Sequence, residues 1–300
     1  MLPSGPKLTY LIVIGFVILC SAFLVLLIIH PFRVDEPSYS IPKQVRYSFT
    51  LRNKTNTVVN NVEFLVFAPV KTTSTQSCQH IESSQPFQIH TDGLGNQILC
   101  FSYEKFPPLA TKIVTIKADL LMSEKPNRMP GDDTELFIRP SRFIESDHSE
   151  IINISNSIIK DNIPETVESI FSWVSEHITY TEYDRRNRGA LYALNSGKGD
   201  CTEYVSLFSA LCRAARIPTK SVLGYACHDR NCILRPSGFH NWAEFCDGKM
   251  WNIVDPQRNV MKVRTPDYIA MKIEGSPTDN PFNQFDRFHI RGEGITVVMN

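Results

Sequence analysis

The feature that most constrains this chain is the dipeptide Asp247-Gly248. It separates two apolar, aromatic-rich runs, His240-Asn241-Trp242-Ala243-Glu244-Phe245-Cys246 and Lys249-Met250-Trp251-Asn252-Ile253-Val254-Asp255. Asp-Gly in that setting is the strongest short-range signal for a two-residue β-hairpin turn. With that turn, Cys246 faces Lys249 and His240 falls directly opposite Asp255. Glu244 then faces Trp251, and Trp242 faces Ile253. Facing residues on one face have Cβ atoms roughly 5 Å apart, the reach a carboxylate needs to orient an imidazole. A one-residue slip would send the two side chains to opposite faces.

A third residue completes a constellation. Gly197-Lys198-Gly199-Asp200 is a loop signal. Tyr204, Val205, Phe208, Leu211, Cys212 and Ala215 then recur at helical spacing, and Ile217-Pro218 ends the run. Asp200 reads as the N-cap, which places Cys201 in the first helical turn. There the unpaired amides and the helix dipole favour thiolate over thiol, while the Asp200 carboxylate opposes it. The spacing therefore predicts an activated thiol, provided the Asp200 side chain turns onto the helix amides.

These blocks resemble the transglutaminase-like superfamily. Gly199-Asp200-Cys201-Thr202-Glu203-Tyr204 with Leu207 to Pro218 is similar to its nucleophile helix. His240-Asn241-Trp242-Ala243-Glu244 and Trp251-Asn252-Ile253-Val254-Asp255-Pro256 are similar to its His and Asp strands. Tyr180 sits where such domains usually carry a Tyr. The match covers residues 150 to 260 or so. The resemblance implies an α+β, papain-like core in which a helix carrying Cys201 packs on an antiparallel sheet carrying His240 and Asp255. It also implies a Cys201-His240-Asp255 triad acting on amides. Known members include cross-linking enzymes, cysteine proteases and deglycosylating amidases.

The chain departs from the animal-type pattern, which uses an upstream Trp to help hold the oxyanion. Trp173 borders the helical face Val167, Ile170, Phe171, Val174 and Ile178, so it is expected to fill core. Asn195, six residues before Cys201, is a candidate amide donor beside the Cys201 N–H. Trp242 is a candidate cleft wall, with sheet packing as its plainer role. Gln257 stands where many relatives have Thr. Taken singly, Cys201, His240 and Asp255 would each pass for a structural residue; their joint placement favours the triad.

Cys227, His228, Cys232, His240 and Cys246 lack the paired short knuckles of a structural zinc site, so no metal is expected. Cys227 and Cys232 read as a local disulfide or two free thiols, and Cys78 and Cys100 as a pair that could bridge. No Asp/Asn-rich calcium loop is present, and no cofactor is expected. Equal numbers of acidic and basic residues, with no basic stripe, give no case for nucleic acid.

Residues 8–29 carry no charge and exceed the ~20 residues that span a bilayer. The run stays apolar to Ile29, without a small-residue cleavage site, so an uncleaved transmembrane anchor over residues 1–30 is expected. Lys7 on one flank, against Arg33 with Asp35 and Glu36 on the other, favours a cytoplasmic N-terminus and an enzyme domain outside. Residues 31–43, with Pro31, Pro37 and Pro42, read as a stiff linker. Strand-like runs at 45–51, 62–67 and 113–118 place a small β-sandwich over 44–140. The catalytic domain is expected over 141–300, with a last strand near 295–298. The expected function is thiol-dependent acyl transfer on protein or peptide amides, by hydrolysis or transamidation. The alternative is an inactive or partner-activated membrane scaffold.

Overall fold

Alternation builds the first half of the molecule. In β1 (Ile41–Asn53), Val45, Tyr47, Phe49 and Leu51 point inward while their neighbours face out. β2 (Val59–Ala68), β3 (Gln76–Ser83), β4 (Gln88–Thr91), β5 (Gln97–Phe106) and β6 (Thr111–Met122) follow. The computed structural model describes residues 37–129, 134–184, 186–261, 263–275 and 287–300. The expected anchor at 8–29 lies outside them, as do residues 31–36 of the expected linker. Ile41, Pro42 and Lys43 belong to β1 and pair with Met122, Leu121 and Leu120, so the linker ends before 41. Among the described residues, no helix is long and apolar enough to cross a membrane.

Two sheets face each other. One runs β3-β6-β1 and gains β10 (Asn231–Ile233), parallel to β1, and β15 (Ile295–Met299), antiparallel to it. The other runs β4-β5-β2 and ends on β14 (Phe288–Arg291). Phe49 and Phe64 meet at 5.1 Å between ring centroids, and Phe288 comes 5.1 Å from Phe49. The sandwich is thus not the contiguous segment 44–140. The last two strands of the chain return to it, and Pro37–Asn300 is one compact unit.

The second half is helical until the chemistry begins. Helices α1 (Ser149–Ile158), α2 (Ile163–His177), α3 (Gly189–Ser196) and α4 (Cys201–Ala214) follow, with the two-residue strand β7 (Thr179–Tyr180) between α2 and α3 and β8 (Lys198–Gly199) between α3 and α4. Asn162 caps α2 by accepting from Glu165 N–H at 3.0 Å. Val167, Ile170, Phe171, Val174 and Ile178 are buried. α4 is enclosed nearly all round: Tyr204, Val205, Phe208 and Leu211 share a core with α1, α2 and α3, and with Ala243, Phe245 and Val254 of the sheet. That sheet is antiparallel, in the order β12 (Trp251–Val254), β11 (Phe239–Cys246), β9 (Thr219–Ala226), β13 (Tyr268–Ile273). The molecule is a mixed α and β fold with a helix-on-sheet core.

Candidate active site

The start of α4 is fixed by its own residues. Asp200 is extended, and its Oδ1 accepts from Thr202 N–H at 2.8 Å. Glu203 reaches back to accept from Asp200 N–H at 3.0 Å, closing a capping box. Arg188 Nη2 holds that carboxylate at 3.1 Å. Gly199 is required here, because a Cβ would come 2.3 Å from Glu203 Cβ. Cys201 therefore occupies the first turn, where its N–H has no intrahelical acceptor.

β11 is stitched to this helix start. Asn241 N–H donates to Cys201 Sγ, and Asn241 Nδ2 donates to Thr202 Oγ1 at 3.0 Å. The preceding residue, His240, places Nε2 2.7 Å from Asp255 Oδ2. With the Nε2 proton directed at the carboxylate, Nδ1 is left as the basic nitrogen. Asp255 is wholly buried. Its Oδ2 also accepts from Tyr268 O–H at 2.8 Å, and its Oδ1 from Arg258 N–H at 3.2 Å. Burial, and then the Asp255 charge, raise the Tyr268 phenol above its usual range, so it stays a donor. Tyr268 is held edge-on to Trp242 at 5.2 Å.

The hairpin register differs from the expected one. Cys246 pairs with Trp251, Glu244 with Ile253 and Ala243 with Val254. Asp247 N–H bonds Met250 O at 3.2 Å, so Gly248-Lys249 is the turn. The Asp247 side chain causes the shift: its Oδ1 accepts from the N–H groups of Lys249 and Met250, both at 2.9 Å. The displacement is two residues, so facing is preserved. His240 and Asp255 meet diagonally instead of directly across the ladder. Trp242 pairs with Val222 on β9, not with Ile253.

A cavity of about 490 Å³ opens over Cys201 and His240. Tyr180 is brought to it because β7 pairs with β8, setting Tyr180 beside Gly199. Tyr183, Gln257, Arg258 and Arg287 also line it. Two sequence candidates lie elsewhere. Asn195 is exposed on α3 and is not among the lining residues, because the last turn of that helix directs it to solvent. Trp242 is fully buried in the core between the sheet and Tyr268, and walls nothing. Trp173 stacks on His177 at 4.5 Å, away from the cavity. Tyr268, Arg258 and Arg287 carry no sequence motif; only the fold brings them here.

The surroundings of the thiol raise it rather than lower it. Burial, and then the Asp200 carboxylate, push Cys201 up to about 12, against the lowering effects of the Asn241 N–H and Thr202. Asp200 does turn onto the helix amides, but it remains a charge beside the sulfur. The depression expected from the helix start does not prevail.

Cys227 and Cys232 form a disulfide. Cys78 and Cys100 are free, on β3 and β5 of different sheets. Among the described residues, no group of three or more His, Cys, Asp or Glu could hold a metal ion.

Residues 153–256 match the family model of the transglutaminase-like superfamily. No curated protein matches the chain. A solved structure from Cytophaga hutchinsonii, provisionally named a cysteine protease, is 17% identical with a TM-score of 0.61. The likeness covers 88% of this chain and 91% of that one, so the fold is shared across almost the whole length. The periplasmic domain of TgpA from Pseudomonas aeruginosa is 12% identical over 80% of this chain and 97% of that one. Its TM-score of 0.38 is too low to establish a common fold.

Proposed function

We propose, from the premise that residues 153–256 belong to the transglutaminase-like superfamily, that the protein transfers acyl groups through a thioester on Cys201. The observation that carries this is the 2.7 Å pairing of His240 Nε2 with the buried Asp255, beside a helix-start cysteine that lines the same cavity. The substrates are amides of proteins or peptides.

The raised thiol makes this a proton-transfer mechanism rather than one with a resting ion pair. His240 Nδ1 takes the Cys201 proton as sulfur attacks the carbonyl carbon. The Cys201 N–H donates to the developing oxyanion, with one further donor from the cavity. His240 then returns the proton to the leaving amine, and the C–N bond breaks to leave a thioester. Water or a second amine, deprotonated by His240, attacks it and releases Cys201. Asp255 holds the imidazole in one tautomer throughout and stabilises the imidazolium. Tyr268 and Arg258 hold Asp255.

Residues 8–29 anchor the chain in a membrane, N-terminus in the cytoplasm and Pro37–Asn300 outside. Two things support this: the uncharged run itself, and the Cys227–Cys232 disulfide, which suits an oxidising compartment. A partner-opened form is a second reading, favoured by the burial of Cys201, which is 9% exposed.

The test incubates full-length protein with glutamine-containing peptides and a fluorescent primary amine. Amine incorporation, ammonia release and backbone cleavage are read together. At least one product that disappears in Cys201→Ala is expected. A product that survives the substitution, or no product from any peptide, would overturn the proposal.

A further inference from the structure

We propose that the cavity selects substrates bearing a carboxylate next to the reacting amide, and that Arg287 is the residue that selects them. The proposal deepens the acyl-transfer reading of Cys201 and rests on it.

The charges around the cavity are unequal. Its described lining holds one carboxylate, Asp200, and two guanidinium groups, Arg258 and Arg287. Asp200 is buried and already engaged: Oδ1 accepts from Thr202 N–H, and Oδ2 accepts from Asp184 N–H at 2.9 Å. Arg258 leans toward Asp255, with Nε 3.9 Å from Oδ2, so part of its charge is offset. No carboxylate among the described residues pairs with Arg287.

Arg287 is nevertheless held in place. Its guanidinium lies over the Phe239 ring, 4.8 Å from the centroid, and Nη1 donates to Pro236 O at 3.3 Å. Tyr225 and Arg287 also line a common cavity with Phe239. Phe239 is the residue before His240, so the guanidinium is fixed beside the proposed base. A guanidinium has five donors in a rigid fork. Those not engaged by the protein suit the two oxygens of a carboxylate. Pre-positioning by Phe239 and Pro236 removes part of the ordering cost of binding. An acidic side chain flanking the reacting residue and a free terminal carboxylate offer the same chemistry.

The experiment reads binding without turnover. Full-length Cys201→Ala protein is titrated into fluorescein-labelled pentapeptides with a central Gln, and anisotropy is followed. Flanking residues are Glu, Gln or Lys, and the C-terminus is free or amidated. Peptides with the carboxylate should bind about tenfold tighter than their amide counterparts at low ionic strength, and the contrast should collapse in ~1 M salt. If Glu→Gln removes the contrast, the side chain is the ligand; if amidation removes it, the terminus is. Arg287→Met should abolish the preference and Arg287→Lys restore part of it. Thermal melts of both variants confirm that they fold. Should Arg287→Met unfold, Arg287→Glu should shift preference toward the Lys peptide. Equal affinities across the peptides, or a preference that survives Arg287→Met, would overturn the proposal. Cys201 acylation in the parent protein is measured separately, so either idea can fail alone.

Discussion

His240 Nε2 and Asp255 Oδ2 lie 2.7 Å apart although the two residues are not cross-strand partners. The ladder of β11 and β12 closes at Ala243–Val254, and Asp255 bridges instead to Val260. The contact spans the end of the hairpin on a diagonal, a reach that long side chains manage. Tyr268 and Arg258 fix the carboxylate that the ladder does not.

Asp255→Asn should therefore leave the fold intact and lower kcat/KM by roughly 10³- to 10⁴-fold, since an amide holds the wrong tautomer and cannot stabilise the imidazolium. Steady-state kinetics on the best peptide substrate measure this. A loss below tenfold would mean that Asp255 is structural.

Tyr268→Phe removes one donor from Asp255 Oδ2 and keeps the ring against Trp242. Asp255 is then held less firmly against His240. kcat/KM at neutral pH should fall about tenfold, on the order of one lost hydrogen bond to a charged group. Steady-state kinetics measure this, and an unchanged kcat/KM would show that Tyr268 only packs.

Cys201 should alkylate slowly at neutral pH. With the thiol pushed up to about 12, the reactive thiolate grows about tenfold per pH unit and has no plateau between pH 6 and 9. Asp200→Asn keeps a cap but removes the neighbouring charge, so the rate at any fixed pH should rise. Site-resolved iodoacetamide labelling decides it. A plateau reached in acid would indicate a resting ion pair instead.

Arg188→Met leaves the buried Glu203 carboxylate without its cation. Arg188 is itself partly exposed, so the cost is discounted to on the order of 2 kcal/mol. Thermal unfolding should show a lower Tm, accompanied by weaker Cys201 chemistry as the cap loosens. An unchanged Tm would place the pair outside the stability of α4.

Much of this was legible where the physics is local. The strands at 45–51, 62–67 and 113–118 lie inside β1, β2 and β6, because alternation is a nearest-neighbour signal. The start of α4 follows from Asp200 and Glu203 alone. The hairpin turn was misplaced because Asp247 satisfies two amides with its own side chain and so joins the ladder. Facing survived because the shift was even. The return of β14 and β15 to the sandwich was not legible: Phe49 pairs with Met299 across nearly the whole chain, and no local pattern encodes that. Tyr268 and Arg287 were missed for the same reason. Distance along the chain singles out Asn195, but it says nothing of the side on which a helix presents it.

The most direct test is covalent. Full-length protein is mixed with p-nitrophenyl acetate, quenched in acid within seconds, digested and mapped by mass spectrometry. The expected result is an acetyl thioester on Cys201, ahead of Cys78, Cys100, Cys212 and Cys246, discharged by added amine and absent in His240→Ala at the same pH. Acetyl groups elsewhere with none on Cys201, or Cys201 acetylation untouched by His240→Ala, would contradict a His240-activated nucleophile.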